Sequence, residues 1–172
     1  VKLDARSRAA GLVKPAARYT VADRLEEQAA RFGERVFLVY GGLRFTYAEV
    51  DARANQVAHA MHARGLRCGD VCALAMENRP EFFFYWLGLV KLGVVVAVIN
   101  TQVSGRPLAH ALETTGARAV VLGEECIENF ALTPDRPSQP LYFVADTEKP
   151  CRTEHRAIAS ADISAEVGAA PR

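Results

Sequence analysis

The run Phe82–Ile99 reads FFFYWLGLVKLGVVVAVI and carries a single charge, Lys91. A stretch so long and apolar either crosses a membrane or lies inside a protein core. Lys91 sits at its middle, where a charge costs roughly 2.5–3.5 kcal/mol even on a lenient insertion scale. Gly93 is a natural helix stop. The residues also change type across that glycine: aromatics and Leu precede it, and the β-branched run Val94-Val95-Val96-Ala97-Val98-Ile99 follows it. That switch predicts a buried helix, a glycine cap and a buried strand, not a span.

The same alternation recurs on both sides. Thr20-Val21-Ala22-Asp23 resembles a capping box and starts a helix whose Val21, Leu25, Ala29 and Phe32 share a face, ending at Gly33. Val36–Tyr40 and Leu43–Thr46 read as two strands of a hairpin around Gly41-Gly42, a pair that permits positive φ. Thr46-Tyr47-Ala48-Glu49 is a full capping box, and the helix it opens runs to about Arg64 with a stripe of Val50, Ala54, Val57 and Met61. Strand Val71–Met76 follows. A helix near 80–92 has Pro80 at its first position. Then come strand Val94–Ile99, a helix near Pro107–Thr115, strand Ala117–Leu122 and a short helix, Glu124–Leu132. Helices alternating with continuous apolar strands predict an α/β fold: a mostly parallel sheet covered on both faces, with a short N-terminal β-hairpin.

The two ends differ in texture. Residues 1–19 form a basic lead-in arm carrying Lys2, Arg6, Arg8, Lys14 and Arg18 against Asp4, with no apolar leader segment. Residues 20–145 make the α/β subdomain, in which Pro134, Pro137 and Pro140 mark a loop before one more strand at Leu141–Ala145. Residues 146–172 form a polar, Ala-rich tail in which partial disorder is expected. Lys and Arg total 21 against 20 Asp and Glu, so nothing global points to nucleic acid or an anionic surface.

Few residues carry recognisable chemistry. There is no GxxxxGK[ST], no GxGxxG after a strand, no HExxH and no GxSxG. Cys68, Cys72, Cys126 and Cys151 form no CxxC pair and read as free thiols in a reducing compartment. His59, His62, Cys68 and Cys72 are the only metal-like group. His59 falls opposite the Val50/Val57/Met61 stripe, however, while Cys72 belongs to a buried strand, and structural zinc needs converging ligands. Glu77, Asn78, Arg79 and Glu81 follow the end of one strand and Asn100-Thr101-Gln102 the end of another, where open parallel sheets bind ligands. Capping by Asn78 and dipole compensation by Glu81 account for the same residue types. Lys91 is expected to snorkel to an edge. No catalytic, cofactor-binding or metal-binding residue is assigned.

Phe45-Thr46-Tyr47-Ala48-Glu49-Val50 resembles the first core motif of the adenylate-forming enzymes, which include acyl-CoA synthetases, luciferases and the adenylation domains of peptide synthetases. Arg64-Gly65-Leu66 followed by Gly69-Asp70-Val71 resembles that superfamily's link into a strand. Val90-Lys91-Leu92-Gly93-Val94-Val95 with Ile99-Asn100 resembles its second core motif, with Leu92 where most members have Ala. Met76-Glu77-Asn78-Arg79-Pro80-Glu81-Phe82, Trp86-Leu87-Gly88-Leu89, Ile99-Asn100-Thr101 and Pro107-Leu108-Ala109-His110 are similar to the branch of fatty-acid transport proteins and very-long-chain acyl-CoA synthetases. The resemblance covers about Thr20–Phe130.

The resemblance implies the N-terminal subdomain of an adenylate-forming fold, within a parent that activates a long-chain fatty acid with ATP and Mg and passes it to coenzyme A. The family's Ser/Thr/Gly-rich phosphate loop, its acidic Mg-ATP motif, its hinge and its C-terminal catalytic Lys have no match here. The chain alone is therefore expected to hold no cofactor and to be inactive. Its expected partner is the remainder of the parent enzyme, with self-association through the aromatic helix as a second partnership and no nucleic acid. The implied location is cytoplasmic, with membrane association as a property of the parent. A standalone, non-catalytic α/β binding or interaction module from a truncated gene is the alternative.

Overall fold

The computed structural model describes residues 19–146 and 161–163. The lead-in arm up to residue 18 and most of the polar tail lie outside the described residues.

Helix α1 (Val21–Phe32) begins on the expected box: the Thr20 hydroxyl accepts from the Asp23 N–H, and the Asp23 carboxylate accepts from the Thr20 N–H at 2.6 Å. Its buried residues are Ala22 and Leu25, while Val21 is 43% exposed, so the apolar face is narrower than the expected stripe. Gly33 closes the helix in a right-handed conformation, not a left-handed one. Its role is close approach: a Cβ there would meet the Ala29 carbonyl at 2.9 Å and the Ala48 Cβ at 3.4 Å.

Strands β1 (Val36–Tyr40) and β2 (Leu43–Thr46) pair antiparallel, with Tyr40 opposite Leu43 across the Gly41-Gly42 turn. Only Gly41 uses a positive φ, +55°. Helix α2 (Tyr47–Ala63) carries the second capping box, Thr46 with Glu49. Its stripe Val50, Ala54, Val57 and Met61 is wholly buried.

Five strands then form one parallel sheet in the order β4-β3-β5-β6-β7. They are β3 (Val71–Ala75), β4 (Val95–Val98), β5 (Ala119–Gly123), β6 (Leu141–Val144) and β7 (Ala161–Asp162). Helix α3 (Pro80–Lys91) links β3 to β4, α4 (Gly105–Thr115) links β4 to β5, and a 3-10 turn (Glu124–Cys126) with α5 (Ile127–Ala131) follows β5. The predicted helix–glycine–strand order is present: Lys91 ends α3, and Gly93 turns the chain at φ +76°. The strand expected to be buried is not, because β4 lies at the sheet's edge with Val95 and Val98 exposed. Among the described residues no helix is long and apolar enough to cross a membrane.

Alternate residues of each strand feed two cores, as the pleat requires. Cys72, Leu74, Ala119 and Val121 pack with α1, α2 and α3 on one face. Ala73, Ala75, Val120 and Leu122 pack with α4 and α5 on the other. Strand β7 falls within the stretch expected to be polar tail. Its neighbour Ile163 is fully buried and donates its N–H to the Phe143 carbonyl at 2.9 Å.

Candidate functional site

The carboxyl ends of β3 and β4 open onto a cleft of about 470 Å3 lined by Met76, Glu77, Asn78, Phe82, Val98, Ile99, Asn100, Thr101 and Gln102. The two segments singled out by position, after β3 and after β4, thus face one crevice. Its apolar lining is Met76, Phe82, Val98 and Ile99, and its polar lining is one carboxylate, three amides and the Thr101 hydroxyl. Asn100 is used locally, its Oδ1 accepting from the Gln102 N–H at 2.9 Å.

Behind the rim lies a buried network. Pro80 occupies the first turn of α3, which places Arg79, not Asn78, at the N-cap, and no side-chain cap bond forms there. Asn78 is exposed, which corrects its expected capping role. Arg79 is 6% exposed. It donates to the carbonyls of Val144 at 3.0 Å and Ala145 at 3.1 Å, and pairs with Glu81 at 3.1 Å and Glu125 at 3.4 Å. The Glu125 carboxylate also accepts from the Glu77 N–H, and that of Glu124, fully buried, accepts from the Asp146 N–H, each at 2.6 Å. The tandem glutamates after β5 therefore reach out to the ends of both neighbouring strands. Sequence reading gave Glu124 and Glu125 no role beyond starting a short helix.

The other candidates are structural. Lys91 does not snorkel: its side chain is 7% exposed and its ammonium binds Glu26 of α1 at 2.5 Å and Asp51 of α2 at 2.9 Å. Two carboxylates replace the water that a snorkelling lysine seeks. His59, His62 and Cys68 are exposed while Cys72 is buried, so the four do not converge. Among the described residues, no three His, Cys, Asp or Glu side chains gather at metal-binding distance. Burial pushes the thiols of Cys72 and Cys126 up to about 12, which makes both poor nucleophiles.

A nucleoside triphosphate does not fit what is present at the cleft. Phosphate cradles use successive backbone N–H groups backed by a cation. Here the rim carries the Glu77 carboxylate and no Lys or Arg lines the cleft, while the guanidinium of Arg79, two residues along the chain, is committed to two carboxylates and two carbonyls. The cleft lining carries no group that would hold phosphate.

Comparison with known proteins bears on the family and the fold. The chain is 38% identical over 109 residues to long-chain fatty acid transport protein 6 of Homo sapiens, covering 63% of this chain and 18% of that protein. It is 31% identical over 120 residues to the medium/long-chain fatty-acid–CoA ligase FadD6 of Mycobacterium tuberculosis, covering 70% of this chain and 20% of that one. The inhibitor-bound N-terminal domain of FACL13 from Mycobacterium tuberculosis superposes with a TM-score of 0.66 at 27% identity, over 73% of this chain and 33% of that chain. The chain thus spans about a fifth of the length of the curated relatives it matches. The AMP-binding enzyme profile matches residues 25–169, most of the chain, and the protein belongs to the AMP-binding enzyme family, as an α/β part of its N-terminal, adenylate-forming domain.

Proposed function

We propose that this chain is the N-terminal part of a long-chain fatty acid–CoA ligase, whose complete polypeptide joins a fatty acid to AMP at the expense of ATP and then transfers the acyl group to coenzyme A. The observation that carries this reading is similarity to fatty-acid transport proteins and a fatty-acid–CoA ligase, together with a family match over residues 25–169 that includes the crevice residues. Within that enzyme these residues supply scaffold: β3 and β4 present the Glu77-Asn78 and Asn100–Gln102 rims, and the Arg79–Glu125 network fixes the first of them. ATP with Mg, and coenzyme A, are the co-substrates of the complete enzyme.

The chain by itself does not adenylate. Transition-state charge on a phosphoryl group needs preorganised donors and a cation, and the cleft rim offers a carboxylate in their place. ATP–pyrophosphate exchange with a long-chain fatty acid and Mg-ATP tests both halves of the proposal. The isolated chain should match a heat-treated control, while the complete polypeptide should exchange and form acyl-CoA. Exchange by the isolated chain overturns the scaffold role. A complete polypeptide that forms no acyl-adenylate or acyl-CoA from fatty acids of any length overturns the ligase reading.

A further inference from the structure

Three polar residues follow β5 at a spacing of four: Glu125, Asn129 and Thr133. At 3.6 residues per turn that spacing sets them in one row along a helical segment. Another side of the same segment is core: Cys126, Ile127 and Phe130 are buried in one cluster with Leu108 and Leu112 of α4. The polar row reaches both rims of the crevice. On the β3 side the Glu125 carboxylate accepts from the Glu77 N–H at 2.6 Å. On the β4 side the Asn129 amide donates to the Thr101 carbonyl at 2.7 Å, across 28 residues of chain. The Thr133 hydroxyl accepts from the Gly105 N–H at 2.7 Å, also across 28 residues, and donates to the Asn129 carbonyl at 2.8 Å. Thr133 is 1% exposed, so these bonds are made away from water.

The β4 rim depends on this support. Residues 100–104 run from β4 to α4 in neither helix nor strand. The side-chain bonds they make among themselves are short-range: Asn100 Oδ1 accepts from the Gln102 N–H, and the Gln102 amide donates to the Thr101 hydroxyl. Ser104 stands at the N-cap of α4 yet makes no side-chain cap bond. The first N–H groups of a helix have no partner within it and must find one elsewhere. That of Gly105 finds Thr133. The backbone that presents Asn100, Thr101 and Gln102 to the crevice is thus tied down from outside, by Asn129 at one end and Thr133 at the other.

We propose that Asn129 and Thr133 are positioning residues: they clamp the Thr101–Gly105 backbone, and with it the β4 rim, opposite the β3 rim that Glu125 holds. Because all three stand on one segment anchored in the core, the two rims are fixed relative to each other, not merely each to its own strand. None of the three lines the crevice, so each acts through the rim it holds. Polar groups carried on a loop bind a substrate only as well as that loop is placed, and small displacements are costly. The reaction they serve is the ligase reading above, on which this inference rests.

The test uses Asn129→Ala, Thr133→Val and Thr133→Ser in the complete polypeptide, with Lys91→Met as a destabilised control at the end of α3 away from the crevice. Hydrogen exchange reads the clamp. In Asn129→Ala the Gly105 N–H keeps Thr133 as its acceptor and the Gln102 N–H keeps Asn100, yet both should exchange at least about fivefold faster, with β3 and β5 unchanged. Steady-state kinetics read the positioning. Asn129→Ala and Thr133→Val should raise the KM of the fatty acid or of coenzyme A at least about fivefold, with kcat and the KM of ATP within about twofold. Thr133→Ser keeps the hydroxyl and should restore the unmutated values, and Lys91→Met should move no KM. Asn129 is only half-buried, so its variant carries both readouts if Thr133→Val does not fold. Unchanged exchange at Gly105 and Gln102 overturns the clamp. A fall in kcat with every KM unchanged, equal losses in Thr133→Ser and Thr133→Val, or a KM rise in Lys91→Met as large as in Asn129→Ala overturns the positioning role, since packing alone would account for each. An unmutated complete polypeptide that forms no acyl-CoA overturns the ligase reading instead, and the exchange rates still decide whether the rims are clamped.

Discussion

Arg79 Nε lies 3.4 Å from both carboxylate oxygens of Glu125, across 46 residues of chain, and both side chains are almost fully removed from water. One oxygen, Oε1, also accepts from the Glu77 N–H; the other, Oε2, has no well-formed hydrogen bond and is held by charge. Arg79 completes the arrangement by donating to the carbonyls of Val144, the last residue of β6, and of Ala145 just beyond it. The ends of β3, β5 and β6 are thereby joined at the crevice by groups that belong to no single element.

Replacing Arg79 with Met should therefore destabilise the chain by about 3–5 kcal/mol, because it strands a buried carboxylate and two carbonyls. Arg79→Met combined with Glu125→Gln should cost less than the sum of the two single changes, since the pair shares one interaction. Urea denaturation of the four proteins measures the coupling. Additive effects would show that the contact carries no energy of its own.

Lys91 ties α3 to α1 and α2 through Glu26 and Asp51. The two contacts are not equivalent, because Glu26 is 58% exposed and Asp51 only 20%. Glu26→Gln should change stability by less than about 0.5 kcal/mol, as screened surface pairs do. Lys91→Met should cost about 1–3 kcal/mol, the range for a lost charge-assisted bond inside a protein. Denaturation at low and high salt separates them: only the Glu26 contribution should fade with salt.

Gly88 marks the crossing of α2 and α3. A Cβ there would lie 2.6 Å from the Ala54 carbonyl and 2.6 Å from the Val57 Cβ. Gly88→Ala should force the helices apart and cost about 1–3 kcal/mol or more. Gly42→Ala is the matched control, because nothing lies within 4 Å of the added methyl and its φ is not positive. Equal midpoints for the two variants in urea would remove the close-packing account.

The elements were legible in the sequence wherever one local cause sufficed. Two capping boxes, the change of residue type at Gly93 and the uninterrupted strands place α1, α2, α3 and the parallel sheet. The crevice was legible as two strand ends, but its residues are also ordinary cap and turn residues, and nothing local separates the two uses. Contacts far apart in sequence left no mark. Lys91 meets Glu26 across 65 residues, and only the folded packing of α3 on α1 shows it. Pro80 displaced the cap from Asn78 to Arg79, a detail of one residue. Strand β7 is two residues in a polar context, formed because β6 offers an edge and Ile163 a buried side chain.

The thiols give the last prediction. Cys68 is exposed, while Cys72 and Cys126 are buried, each with its thiol pushed up to about 12. For Cys72 the cause is burial in the sheet; for Cys126 burial comes first and the negative charges of Glu125 and Glu77 add to it. Cys151 lies outside the described residues, so the assay uses a Cys151→Ser background. At pH 8 an alkylating reagent should label Cys68 in the native protein and reach Cys72 and Cys126 only after unfolding, because the thiolate is the nucleophile. The same raised values tie stability to pH. An unfolded thiol ionises near pH 8.5 and the native ones do not. The native state therefore holds more protons above that pH, and its advantage is complete below about 8.5 and is lost as pH rises toward 12. Denaturation between pH 8 and 11 should show falling stability, with a shallower slope in Cys72→Ala and Cys126→Ala. Rapid labelling of Cys72 in the native chain, or slopes unchanged by both substitutions, would show that these thiols meet solvent and that the two cores are looser than their packing implies.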